Sequence, residues 1–420
     1  MYYAIIPTIL VVILVPIFTL CAPNVSVIVA FSDGKYEPGL IQQLGGRIIG
    51  ESESLGMVHA IIPQVQYDRL VASPSVEFVE HDSEVTFASS DSLETAEYSE
   101  SWGLEAIGAE AVHSSEFTGK GIKIAVLDTG VDYLHPDLRP NYKGGYDFVN
   151  DDDDPMDDNG HGTHVAGIIA AARDGKGVLG VAPEAEIYAV KVSDSRGKGS
   201  FSGLIEGIDW AIEHDIDIVT MSITGTGGTK ALQKAVQVAY DEHGMLLVAA
   251  VGNGGSGDVL YPAAYDEVIG VGSVTKDNEK SPFSRSGDEV EFVAPGSEIK
   301  SDAIGGMYRV SSGTSMATAF VTGALALVLE SNEQMWNNTK LVNGDGEWTN
   351  DEARGVLRET AIDLGDKGID EEFGCGLLNL QFPEEIQSQD TNSVSTGEKR
   401  AVNFATEWDA FWVRFILTLG

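Results

Sequence analysis

Four residues whose types could together run acyl transfer stand at the ends or starts of apolar runs in this chain. Asp128 closes "IKIAVLD" just before a Gly turn, His161 sits between glycines in "NGHGTHVAGIIAA", and Asn253 ends "LLVAAVGN". Ser315 follows Gly313 and Thr314 in "VSSGTSMATAFVTGAL" and leads into small and apolar residues. A serine hydroxyl is a weak nucleophile at its free pKa, but an imidazole can take its proton and a carboxylate can orient that imidazole. An amide side chain aimed at a developing oxyanion adds electrostatic stabilisation. Each residue also has an ordinary explanation. Asp128 suits a turn cap, His161 a helix start with His164 close by, Asn253 an Asn-Gly turn, and Ser315 a Gly/Ser-rich bend. The chemical reading requires one fold to bring all four together.

The pattern from Trp102 to about Leu380 meets that requirement. "IKIAVLDTG", "EIYAVKV", "DIVTMSI", "MLLVAAVGN" and "VIGVGSV" are continuous apolar runs bounded by turn residues, as expected of strands buried on both faces of a parallel sheet. "SFSGLIEGIDWAIEH" and "KALQKAVQVAYDEHG" carry helical periodicity, the second with Gly244 as its C-cap. The expected fold class is therefore α/β, a doubly wound and mostly parallel sheet over residues 102–383. Strand ends and the following helix starts share one edge of such a sheet, which is where sites form.

Smaller pieces flank it. Residues 1–22 are uncharged and apolar, and read as a signal peptide or a signal anchor. Residues 23–88 alternate short strands, "VSVIVAF", "RIIG", "MVHAII" and "VEFVEHD", with one helix in "QVQYDRLVASP", so a small α+β domain is expected. Residues 89–101 have the composition of an exposed polar linker. Residues 384–420 form a polar tail ending in an amphipathic aromatic segment, Phe404 to Phe415, suited to packing on the body or to a membrane surface.

The chain of 420 residues carries a formal charge of -39, with acids spread along nearly its whole length. Such a charge repels itself at low ionic strength, whereas molar salt shortens the screening length to about 3 Å. A protein working in concentrated brine is expected, and nucleic acid is excluded as a partner. Two cysteines, Cys21 and Cys375, make no disulfide scaffold.

The chain order Asp128, His161, Ser315, together with "DTGVDYLHPDL", "NGHGTHVAGIIAA", "VAPEAEIYAVKV" and "SSGTSMAT", resembles the subtilase family of serine proteases over roughly residues 102 to 380. With the acidic composition, the resemblance is to its halophilic secreted (halolysin-like) members. It implies that Asp128 orients His161, that His161 is the general base, and that Ser315 attacks the scissile carbonyl. Asn253 and the Ser315 backbone N–H then form the oxyanion hole. It also implies that a peptide substrate adds as a strand between Gly199, Ser200 and Phe201 on one side and Ser222, Ile223, Thr224 and Gly225 on the other. Ala249, Ala250 and Gly252 would line an uncharged primary pocket.

The resemblance extends to calcium and to maturation. Structural Ca²⁺ is implied at Asp137 and Asp174, with carbonyls near Ala172, Lys176 and Val178, and in the acidic loop at Asp147, Asp152 and Asp154. Carboxylates on one short segment are what a hard cation selects, although a solvated acidic loop explains them equally well. Residues 23–88 resemble the subtilase propeptide, an intramolecular inhibitor and folding aid, cleaved off within the following segment. The implied protein is a secreted, monomeric zymogen acting on proteins or peptides, with leader or tail a candidate membrane contact. One departure stands out: the family continues Pro-His after "GTSMAT", and this chain has Ala319 and Phe320. Alanine keeps a helix going, so a change of rate is expected; a catalytically silent peptide-binding scaffold is the alternative.

Overall fold

The structure is a computed structural model that describes residues 23–32, 35–87, 90–92, 102–114, 117–331 and 347–380. These all fall in the compact unit Met1–Gln381; the second unit, Phe382–Gly420, lies outside them, as do the leader, most of the linker and the aromatic tail of the sequence reading. Among the described residues no helix is long and apolar enough to cross a membrane.

The N-terminal part is the expected α+β unit. Strand β1 (Asn24–Phe31) leads to helix α1 (Gly39–Gln43), β2 (Arg47–Ser52), β3 (Met57–Pro63), α2 (Tyr67–Val71) and β4 (Val76–His81). The strands form one antiparallel sheet in the order β2-β3-β1-β4. Every residue of β1 from Val27 to Phe31 is buried, because both faces of the sheet are covered. Val27, Val29 and Phe31 pack with Ile41 and Leu70 inside the unit. Ile28, Ala30 and Met57, alternating with them by the strand pleat, join the core of the larger domain.

The larger domain follows through β5 (Glu84–Phe87) and β6 (Ser90–Ser92), then α3 (Trp102–Ala106) and α4 (Ala109–Ser114). The exposed linker of the sequence reading is thus partly ordered: β6 pairs antiparallel with a late strand, because a backbone ladder needs no apolar side chains. Next come β7 (Lys123–Asp128), β8 (Tyr142–Asp147), α5 (His161–Ala170), β9 (Glu186–Lys191), β10 (Lys198–Ser200) and α6 (Phe201–Glu213). They are followed by β11 (Ile218–Met221), β12 (Ile223–Thr224), α7 (Lys230–Gln237), β13 (Leu246–Ala250) and β14 (Val268–Val274). The chain then runs through β15 (Phe292–Pro295), β16 (Ile299–Ala303), β17 (Met307–Ser312), α8 (Thr314–Glu330) and α9 (Asn350–Thr360).

Seven strands make the central sheet, ordered β15-β14-β13-β11-β7-β9-β8, and every pair in it is parallel. Helices α6 and α7 cover one face: Leu204, Ile208, Leu232 and Ala235 share a core with Ala125 and Leu127 of β7 and Val219 and Met221 of β11. Helices α5 and α8 pack side by side and against the sheet's other face. The strand order turns at β7, which has β9 on one side and β11 on the other. Asp128 is the last residue of β7. It therefore stands at the carboxyl edge where the winding reverses, the place an open α/β sheet offers a ligand. Gly244 adopts the left-handed φ of 63° expected of a C-cap, although α7 ends in a π-helical turn, Val238–Glu242, before reaching it.

Candidate active site

Two chain segments bring Asp128 and His161 together. Gly160 takes a left-handed φ of 102° and turns the chain into α5, whose first residue is His161. Gly162 lets that turn lie on the end of β7, since a Cβ there would stand 2.1 Å from the Gly130 carbonyl oxygen and 3.0 Å from Asp128 Cβ. His161 Nδ1 then lies 2.7 Å from Asp128 Oδ1, with both residues 1% exposed or less. The same Asp128 oxygen accepts the Thr129 backbone N–H at 2.8 Å. A carboxylate only accepts, so Nδ1 carries the proton and Nε2 is the basic nitrogen.

Ser315 is the second residue of α8, on a helix buried from Thr314 to Val328. The helix runs unbroken through Ala319, and Phe320 packs its ring against Gly103 of α3. The Ser315 hydroxyl donates to the Ser222 carbonyl at 3.2 Å, and the Ser222 hydroxyl donates to the Ser315 carbonyl at 3.2 Å. Asn253 reaches the same helix start. Its Oδ1 accepts the Thr314 N–H at 3.0 Å and the Thr314 hydroxyl at 2.9 Å, which turns its Nδ2 donors away from Thr314. His164 is a structural residue, its Nε2 facing the carbonyls of Ile299 at 3.1 Å and Arg309 at 3.2 Å.

A strand lies in front of these groups. β5 runs antiparallel between β10 and β12, with Val85 opposite Gly199, Glu84 opposite Ser200, and Phe87 opposite Ile223. Val85 enters a pocket between the Phe201 ring and Gly225; a Cβ on Gly225 would stand 2.5 Å from that ring and 2.9 Å from Val85. Thr224 pairs with Thr86, and Ala250 ends β13 fully buried. Chain order then resumes at Ser90, which pairs with Ser312, three residues before Ser315.

The acids nominated as metal ligands have two different fates. Asp147 is buried, and its oxygens accept from the Val149 and Asn150 N–H groups and the Asn150 amide. Asp152 accepts the Asp154 N–H and Asp154 accepts the Tyr133 hydroxyl, so the three carboxylates serve donors nearby in their own fold. Asp137 is 1% exposed, and its Oδ2 accepts the Val178 N–H at 3.2 Å and the Tyr308 hydroxyl at 3.0 Å. Asp174 caps Lys176 on the adjoining loop. Beside Asp137 lies Asp302, fully buried; burial first, and then the Asp137 charge, push its carboxyl well above the usual carboxylate range.

Sequence reasoning missed several supporting residues. Lys191, 1% exposed, pairs with Asp128 across β7 and β9 and donates to the Thr129 carbonyl at 2.8 Å and to Asp158 at 2.5 Å. A lysine inside the apolar run "YAVKV" was the available signal. Thr314 as the holder of Asn253, and Leu260 and Arg285 lying against Gly252, left no such mark in the sequence.

Comparison with known proteins fits this geometry. Residues 119–376 match the family model described as the subtilase family. Subtilisin E of Bacillus subtilis (strain 168) is 39% identical over 349 residues, 81% of this chain and 84% of that protein. The alkaline protease of Shouchella clausii is 38% identical over 334 residues, 80% of each chain. The minor extracellular protease Epr of Bacillus subtilis (strain 168) is 41% identical over 344 residues, 82% of this chain and 50% of its own length. The protein belongs to the subtilase family of serine endopeptidases.

Proposed function

We propose that the protein is a secreted endopeptidase made as a self-processing zymogen, with residues 102–383 as its catalytic domain and residues 23–88 as its propeptide. Ser315 Oγ attacks the scissile carbonyl while His161 Nε2 takes its proton and Asp128 holds the imidazole through Nδ1. The oxyanion is met by Asn253 Nδ2 and the Ser315 N–H at the start of α8. His161 then passes its proton to the leaving amine, and a water repeats the cycle on the acyl-enzyme. Substrate adds as a strand between β10 and β12, with a branched apolar side chain in the Phe201–Gly225 pocket.

The observation that carries this reading is β5, a strand of the chain itself lying between β10 and β12, with Phe87 opposite Ile223, the neighbour of the Ser222 that bonds Ser315. Its far end resumes beside Ser312, so we infer that self-cleavage falls between Phe87 and Ser90, at the head of the 89–101 segment. Expression of Ser315→Ala tests this. The variant is expected to accumulate as an uncut, inactive chain, while the unsubstituted chain yields a new N-terminus at Ala88, Ser89 or Ser90. A cut Ser315→Ala chain in protease-free preparation overturns the reading.

Calcium is the structural cation we assign to the loop after α5, where the buried Asp137 and the exposed Asp174 both bond the backbone of residues 176–178 and so bring carboxylates to one short turn. Asp137 and Asp174 would hold it with loop carbonyls. At Asp147, Asp152 and Asp154 a calcium ion would have to replace donors of the loop. The charge of -39 supports a salt requirement. Thermal unfolding over a salt series, with Ca²⁺ or a chelator, is expected to show loss of stability in dilute buffer that Ca²⁺ only partly restores. Equal stability at all salt levels removes the halophilic reading.

A further inference from the structure

Among the described residues, one group of histidine and carboxylate side chains converges closely enough to hold an ion: His135, Asp137 and Asp302, whose ligand atoms all lie within 4.8 Å of one another. They come from the turn after β7 and from β16, where Asp302 faces Tyr308 across the β16–β17 pair. All three are buried to 1% exposure or less. No N–H donor among the described residues reaches either oxygen of Asp302, which faces the Asp137 carboxyl instead. Two carboxyl groups this close and out of water repel unless a proton or a cation lies between them.

The histidine decides the kind of cation. His135 Nε2 lies 3.0 Å from the Met307 carbonyl, which can only accept, so Nε2 bears the proton. The lone pair is then on Nδ1, which accepts the Asp137 N–H at 3.2 Å and faces Asp302 Oδ2 at 3.7 Å, so an ion bound there would take the place of that N–H. A histidine that donates its outer nitrogen to a backbone carbonyl and turns the other inward is the arrangement that fixes a metal-binding imidazole. Tetrahedral bonds of about 2.1 Å separate neighbouring ligand atoms by roughly 3.4 Å, against 3.7 Å between His135 Nδ1 and Asp302 Oδ2. Calcium takes oxygen ligands, whereas a mixed set of one imidazole nitrogen and carboxylate oxygens suits first-row transition ions.

We propose that His135, Asp137 and Asp302 bind one divalent transition-metal ion of the zinc class, with Asp137 bridging to the calcium loop on its other side. The ion ties the turn after β7 to β16 and replaces the missing donors of Asp302. The site does not depend on the proteolytic reading.

The test uses the full chain carrying Ser315→Ala, which prevents self-digestion, in buffer containing Ca²⁺. Metal-stripped protein is dialysed against Zn²⁺ and the bound metal is counted by elemental analysis. One Zn²⁺ per chain is expected, with Asp302→Asn and His135→Asn each weakening its binding by about tenfold or more and leaving bound Ca²⁺ unchanged. Co²⁺ offers a readout free of substitution: bound to the unsubstituted site it should give the visible absorption of a nitrogen- and oxygen-ligated tetrahedral ion. Failure to take up Zn²⁺ or Co²⁺ overturns the proposal and leaves a shared proton between the two acids. Zn²⁺ uptake that both substitutions leave unchanged overturns it as well.

Discussion

Helix N-termini are used in two opposite ways in this molecule. At α6 and α7 they are filled by carboxylates from the N-terminal unit. Asp82 accepts the Ser202 N–H at 3.1 Å and its hydroxyl at 2.8 Å, and Glu80 accepts the Lys230 and Ala231 N–H groups at 2.9 and 2.8 Å. At α8 no carboxylate among the described residues is shown capping the helix; Thr314 and Ser315 begin it and the Asn253 amide is clamped beside them. Both ends present backbone donors and the positive pole of a helix dipole. A permanent negative charge at α6 and α7 gives ground-state docking. A site kept clear of fixed charge at α8 can respond to a negative charge that exists only during a reaction.

The difference is sharpest in its kinetic signature. Asn253→Ala should lower kcat by roughly 10²–10³, with little change in KM, because the amide meets charge that appears only in the transition state. A loss shared equally with KM would show that Asn253 binds substrate in the ground state. Removing the other kind of charge should leave kcat alone. Glu80→Ala and Asp82→Ala should each weaken retention of the cleaved N-terminal unit by about five- to tenfold, the size of a lost cap. Activity recovered on dilution of freshly processed chain measures this. An unchanged release would mean that the β5 ladder alone holds the unit.

The same contrast explains what could be read from the sequence. β7, β9, β11, β13 and β14 were legible because a strand buried on both faces is a continuous apolar run, and "IKIAVLD" and "VIGVGSV" have no other comfortable home. Asp128, His161, Asn253 and Ser315 were legible as candidates because each sits at a change of element beside glycines. β6 and β17 were not, because "SDS" and "MYRVSS" pair through backbone groups and carry no hydrophobic period. The cap made by Glu80 and the cluster of His135 with Asp302 were invisible for a different reason. Both depend on which distant segments meet, and Glu80 and Asp302 do not differ in type from the many other acids of a chain with charge -39.

The smallest expected effect concerns the acid that faces the docked unit without serving as a cap. Asp209 of α6 is 5% exposed and its carboxyl is pushed up to about 7, first by burial and then by Glu213, Glu206 and, from the N-terminal unit, Glu53. Undocking uncovers α6 and removes Glu53, so the free domain holds that proton less tightly than the docked one. Docking therefore takes up a proton. Its contribution is complete at low pH, where both forms hold the proton, and is lost as pH rises through about 7. Retention of the cleaved unit should weaken across that window, and Asp209→Asn should flatten the slope. Any slope left in the variant belongs to the other ionisable groups of the interface. An Asp209→Asn profile as steep as the parent's would assign the whole pH dependence to those groups.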